Sequence, residues 1–195
     1  MLRTVATIIM LALAPTAASR GAVTLSVSDI DGHVWTPLSP AKGEANLIFF
    51  VSADCPVSAR YAPEIDRIAA SYAVRGVHTW LVYADLTATI PSVRDNLKAF
   101  HQNAKIPAII DAGFQLTTAV DVTITPEAAI YTSSGRAYRG RIDDLYVSIG
   151  KSRREALHHD VRDALDAILS GPRGDDAAHG GCRVLHRTAG EMRKA

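Results

Sequence analysis

The sequence is poor in cysteine. Cys55 and Cys182 are its two, too few to staple a small domain but enough for one bridge, or for a reactive thiol and a resolving partner. Net charge is nearly absent: 21 basic and 20 acidic side chains leave +1, which gives no electrostatic basis for a nucleic-acid partner. There is no glycine-rich phosphate loop and no dinucleotide fingerprint. No Cys-x-x-Cys-His occurs that would attach a haem. Cofactors and resident metals are therefore not expected. Beyond the N-terminal region, no apolar run approaches the length of a membrane span. What remains is an ordinary globular balance, 48% hydrophobic and 21% charged, which excludes disordered and collagen-like chains and leaves material for one core.

The N-terminus has the pattern of an export signal. Arg3 precedes the apolar stretch Val5–Ala14, Pro15 ends it, and Thr16-Ala17-Ala18 offers small residues for cleavage. A stretch of about ten apolar residues is too short to cross a bilayer. Residues 1–18 are read as a signal peptide cut after Ala18, with Ala22 as the fallback site. The expected location is the periplasm or another exported compartment, with no stable membrane span after cleavage; an uncleaved anchor is the alternative. Thiols in such compartments can stay oxidised.

Residues 22–171 read as one α/β domain. Strands are expected at 23–29 and 33–36 around an Asp31-Gly32 turn, at 47–52, at 77–84 and at 107–111. A helix carries Tyr61, Ile65, Ile68, Ala69 and Tyr72 on one face and stops at Gly76. A second begins near Pro91, with Val93, Leu97 and Phe100 as its apolar side; a short one covers 114–120. A strand at 128–132 turns at Ser134-Gly135 and returns over 136–140. A last helix places Leu157, Val161, Leu165 and Ile168 at helical spacing and ends at Gly171-Pro172. Strands alternating with helices imply parallel pairing, and the late hairpin adds antiparallel strands. The expected product is a mixed central sheet flanked by helices on both faces, with an N-terminal strand hairpin. Residues 172–195 form a flexible tail that holds Cys182 between glycines and a basic residue and cannot fold alone.

Cys55 follows a buried strand and opens a helix. Free N–H groups and the helix dipole at such a position favour an anion, which lowers a thiol's pKa and makes the sulfur a nucleophile. Pro56 suits the first helical residue. A buried, inert cysteine is the competing reading. Asp54 would oppose the acidification if it came close.

The stretch Asp54-Cys55-Pro56-Val57-Ser58, Pro63 eight residues after the cysteine, and Thr125-Pro126 together resemble the thioredoxin-like superfamily. The further run of Tyr-x-Pro-Glu, Thr-Pro-Glu, Tyr138–Asp144, His159-Asp160 and Gly181-Cys182 is similar to exported bacterial redoxin-domain proteins of the alkyl hydroperoxide reductase/thiol-specific antioxidant type. That resemblance implies a thiol–disulfide oxidoreductase with Cys55 as nucleophile and Thr125-Pro126, cis in that fold, against the sulfur. Pro56 and Ser58 would complete the substrate contacts. The implied partner is a thiol or disulfide protein, or a small peroxide, with a reductant that the sequence does not identify.

Three departures shape the expectation. Ser58 stands where thioredoxins hold their second cysteine and cannot resolve a mixed disulfide. Ser52 can supply the hydroxyl of a peroxide-binding signature, but Ile48 replaces its proline. Ala59 removes the second thiolate of Sco-type copper-delivery proteins. Disulfide exchange is therefore favoured over peroxide reduction. Cys182 is expected to reach Cys55, within the chain or across a dimer, because closing a loop of roughly a hundred residues costs only a few kcal/mol; a purely structural disulfide is the alternative. A reading from another class is a non-catalytic binding module for a partner protein or a metal.

Overall fold

A computed structural model describes residues 24–100, 105–148 and 150–170. The signal peptide expected at 1–18 and the tail expected at 172–195, with Cys182, lie outside these residues.

The centre of the molecule is β3, Ala45–Val51, in which every residue is buried. A continuous apolar strand can be satisfied only inside a sheet covered on both faces, and β3 occupies that place. It pairs in parallel with β4, Val77–Tyr83, and antiparallel with β6, Glu127–Thr132. The short β5, Ala108–Ile110, extends the sheet beyond β4, and β7, Gly135–Gly140, extends it beyond β6. The order is β5-β4-β3-β6-β7.

Alternation along these strands divides the core. Leu47, Phe49, Leu81 and Ile130 meet the helices α1, Pro56–Ala73, and α4, Asp160–Leu169. Ile48, Phe50, Val82 and Ala129 face the other way, toward Leu38 and the short α3, Gln115–Val120. Each large side chain fully removed from water in this way contributes about 2 kcal/mol. α1 buries the face read from its spacing: Tyr61, Ile65, Ile68, Ala69 and Tyr72. Its chain then reverses at Gly76, whose φ of +79° suits a residue without a Cβ. α2, Ile90–Ala99, starts with a reciprocal Thr89–Ser92 capping box and a proline in its first turn.

The N-terminal hairpin is shorter than expected, reduced to β1, Val27–Ser28, and β2, Val34–Trp35. Asp29 ties it: its carboxylate accepts the N–H groups of Asp31 and His33 at 2.9 Å and the Trp35 indole N–H at 2.8 Å.

Three further expectations need correction. Phe100 follows α2 and is partly exposed, while Val93 and Leu97 alone of that trio pack inward. Leu157 is not on the last helix; it is 69% exposed, and α4 begins only at Asp160, with His159 at the N-cap position. The cause is Asp144, whose carboxylate accepts the N–H groups of Leu157 at 2.6 Å and His158 at 3.0 Å and so holds that stretch out of the helix. Finally, between β7 and α4, where no strand was expected, the chain forms a small hairpin of β8, Tyr146–Ser148, and β9, Lys151–Ser152.

Candidate functional site

The sheet register brings two distant segments together. β6 runs antiparallel to β3, and Glu127 near its start pairs with Phe50 near the end of β3. Thr125-Pro126, just before β6, therefore lies beside the turn that carries the chain from β3 into α1.

Cys55 is the N-cap of α1, with extended backbone angles (φ −87°, ψ 112°), and Pro56 follows as the first helical residue. The Cys55 N–H donates to the Ser52 carbonyl at 3.2 Å. The sulfur accepts the Ser58 N–H at 3.5 Å, and the thiol donates to the Thr125 carbonyl, also at 3.5 Å. The Thr125–Pro126 bond is cis. Ser58 is buried, and its Oγ accepts the Ser52 N–H at 3.3 Å. Four of the sequence-derived site residues, Cys55, Pro56, Ser58 and Thr125, thus share one turn-and-loop junction, with Pro126 next in the chain. Cys182 lies outside the described residues.

Burial pushes the Cys55 thiol up. The donors that converge on it outweigh this: the Ser58 hydroxyl and N–H, the Val57 N–H and the Thr125 side chain together hold it below the ordinary cysteine value. This is the direction expected at a helix N-terminus. Asp54, the neighbour that would oppose it, is exposed.

Tyr61 and Arg60 divide between two tasks. Tyr61 is buried, and its hydroxyl donates to the Asp143 carboxylate. Burial first, and then that neighbouring charge, hold the phenol far above its usual value. Its ring meets Tyr146 edge-on at 5.0 Å, so α1 is fastened to β8. Arg60 is exposed and lines a groove of about 210 Å³ with Pro56, Val57, Tyr146 and Lys151. On the Thr125 side a second groove, of about 350 Å³, is lined by Ala84, Phe114, Val122, Ile124 and Thr125, among others.

The acids of the 141–144 stretch are anchors as much as ion-pair partners. Asp143 is buried and accepts the Leu145 N–H at 2.9 Å as well as the Tyr61 hydroxyl. Asp144 is buried, takes the two N–H groups that delay α4, and pairs with Arg153 at 3.3 Å. Arg141 pairs with Asp160 at 2.7 Å. Tyr146 and Lys151 were not among the expected site residues; the adjacent acids of Arg141-Ile-Asp-Asp144 were the available signal that a pinned turn follows. Among the described residues no group of three His, Cys, Asp or Glu side chains could hold a metal, and no helix is long and apolar enough to cross a membrane.

No protein-family model matches the chain, and no curated protein does. Solved structures do. A hypothetical protein of Sinorhizobium meliloti matches with a TM-score of 0.61 at 26% identity, over 77% of this chain and 82% of that one. A secreted Mycobacterium tuberculosis disulfide oxidoreductase, homologous to E. coli DsbE, matches with 0.53 at 14%, over 78% and 98%. A thioredoxin-like protein of Aeropyrum pernix matches with 0.55 at 18%, over 74% and 89%. With this mixed sheet, helices on both its faces and such neighbours, the fold of the chain is thioredoxin-like.

Proposed function

We propose that the protein is an extracytoplasmic thiol–disulfide oxidoreductase of redoxin type in which Cys55 is the nucleophile. The observation that carries the reading is a helix-capping sulfur 3.5 Å from the Thr125 carbonyl, with hydrogen-bond donors that favour its thiolate. The Cys55 thiolate attacks one sulfur of a substrate disulfide. The substrate S–S bond breaks, its other sulfur leaves as a thiolate that takes a proton from solvent, and Cys55 is left in a mixed disulfide. Thr125-Pro126 presents the substrate segment, beside Pro56 and Ser58. Cys182 then attacks Cys55 Sγ, releases the second substrate thiol and forms the Cys55–Cys182 disulfide. A dithiol reductant returns both to thiols.

Ser58 supports a resolver outside the loop, since a hydroxyl cannot displace a thiol from a disulfide. Disulfide exchange is preferred to peroxide reduction because Ile48, where the peroxide signature has proline, is fully buried on the α3 face of the sheet. The apolar stretch Val5–Ala14 supports export, and one structural neighbour is described as secreted.

The test is the alkylation rate of Cys55 against pH, in the wild type and in Cys182→Ser. The expected midpoint lies below about 8.5, the unperturbed cysteine value. With a disulfide substrate, Cys182→Ser is expected to accumulate the mixed disulfide, seen by mass spectrometry. A midpoint at or above the unperturbed value overturns the nucleophile assignment. Turnover unchanged without Cys182 removes it as resolver.

A further inference from the structure

The groove on the hairpin side of Cys55 carries charge of one sign. Pro56 and Arg60 stand four residues apart on α1 and so share a helix face. With Val57 they form one wall of the groove, and Tyr146, Lys151 and Ser152 stand in the other. Its charged lining residues are Arg60 and Lys151, both exposed. Neither makes an ion pair among the described residues, whereas Arg141, Arg153 and Arg162 are each matched to a carboxylate. No carboxylate stands in the lining of this groove against the two cations; Glu64, Asp143 and Glu155 line the neighbouring groove instead, which Arg60 also borders.

The arrangement is held in place. β8 is fastened to α1 by the Tyr61–Tyr146 contact and by the Tyr61–Asp143 hydrogen bond. Gly150, with φ of +77°, makes the tight turn that returns the chain at Lys151. At about 210 Å³ the groove is smaller than the usual site of a drug-sized ligand; it suits a side chain or two of an extended segment.

We propose that this groove selects disulfide substrates whose reacting cysteine is flanked by acidic residues, with the carboxylates seated between Arg60 and Lys151. The inference rests on the reading of Cys55 as the attacking thiol. The occupant is a peptide segment on the substrate protein, contiguous with the cysteine that Cys55 attacks.

The test uses three short peptides in which one cysteine, activated as a neutral 2-thiopyridyl disulfide, is flanked by two Glu, two Gln or two Lys. Cys55 attacks the peptide sulfur, the peptide–pyridyl S–S bond breaks, and 2-thiopyridone leaves with a proton from solvent and is read by absorbance. The expected second-order rate for the Glu peptide is about fivefold above the Gln peptide and higher still above the Lys peptide, which is the scale of two exposed charge pairs. The preference weakens as salt is raised. In R60Q/K151Q the Glu-to-Lys rate ratio collapses toward one; in R60E/K151E it inverts. Taking ratios within each variant removes any general change in Cys55 reactivity. Equal rates for all three peptides, or a ratio that survives both double variants, overturns the inference and leaves the Cys55 reading standing. No thiopyridone from any peptide overturns the Cys55 reading itself and this inference with it.

Discussion

The two grooves beside Cys55 differ in kind. The one bordered by the first turn of α1 has two cations and a wall built from a hairpin of very short strands. The one bordered by Thr125 has no charged residue in its lining; it combines hydroxyls with Phe114, Val122 and Ile124, and Ile124 is 64% exposed. Between them the sulfur is governed by the helix start and the Thr125 loop: the Ser58 hydroxyl and N–H, the Val57 N–H and Thr125 meet it. Reactivity is thus set by geometry that the fold supplies, and the difference between the grooves lies in side chains on the segments around it. Each of the following changes acts on one part of that arrangement.

Cys55→Ser removes the centre and leaves both grooves. Disulfide exchange is expected to fall by about a thousandfold or more, because a hydroxyl at neutral pH is a far weaker nucleophile than a thiolate. Binding of an unreactive peptide, followed by isothermal calorimetry, should persist. A loss below about tenfold would hand the molecule to the reading as a binding module.

Tyr61→Phe strikes the fastening of the charged wall. Asp143 then stays buried with only the Leu145 N–H of its two donors, and a lost hydrogen bond to a charged group costs about 1.5–3 kcal/mol. Thermal unfolding should show that loss. The preference for acidic over basic peptides should shrink as β8 loosens, because Tyr146 keeps its ring contact but the hairpin loses the hydrogen bond below it. A lowered melting temperature with an unaltered preference would mean that the wall is placed without Tyr61.

Ser58→Ala acts on the sulfur and also removes the Oγ that accepts the Ser52 N–H. It deletes a donor to the thiolate, so the Cys55 pKa rises and alkylation at pH 7 should slow several-fold, while rates converge at a pH above both midpoints. The sign for stability follows from the same shift. A thiol held below its unfolded value adds stability at pH above the unfolded value, and that contribution is lost as pH falls through the folded value. Denaturant midpoints of reduced wild-type protein should therefore rise across that window, and those of the variant should rise less. Equal alkylation midpoints in the two proteins would rule out the serine as a tuning group.

These parts were unequally legible in the sequence. The apolar runs that became β3 and β4, the inward face of α1 and the helix-opening Cys55 follow from local pattern, and the structure retains them. The approach of Thr125 to Cys55 came from resemblance rather than periodicity, since it depends on how β6 registers against β3. β8 and β9 are too short to carry an alternation. Leu157 fits a helical spacing with Val161 and Leu165, yet Asp144, thirteen residues upstream, takes its N–H. Long-range polar anchors of this kind leave no periodic trace, and the charged groove is built from them.

The mildest change falls on the uncharged groove. Ile124→Ser alters an exposed side chain, so the fold should keep its stability to within about 0.5 kcal/mol. If the apolar wall contributes to substrate choice, a thiopyridyl peptide with leucine beside its cysteine should react about threefold more slowly, the scale of partly burying one such side chain at about 25 cal/mol per Å². The acidic peptide, seated on the other side of the sulfur, should hold its rate. A selective loss of that size would show that the two grooves read different neighbours of one cysteine. An equal loss for both peptides would instead place the effect on the loop at Thr125, whose carbonyl meets the thiol, and would merge the two grooves into a single determinant of rate.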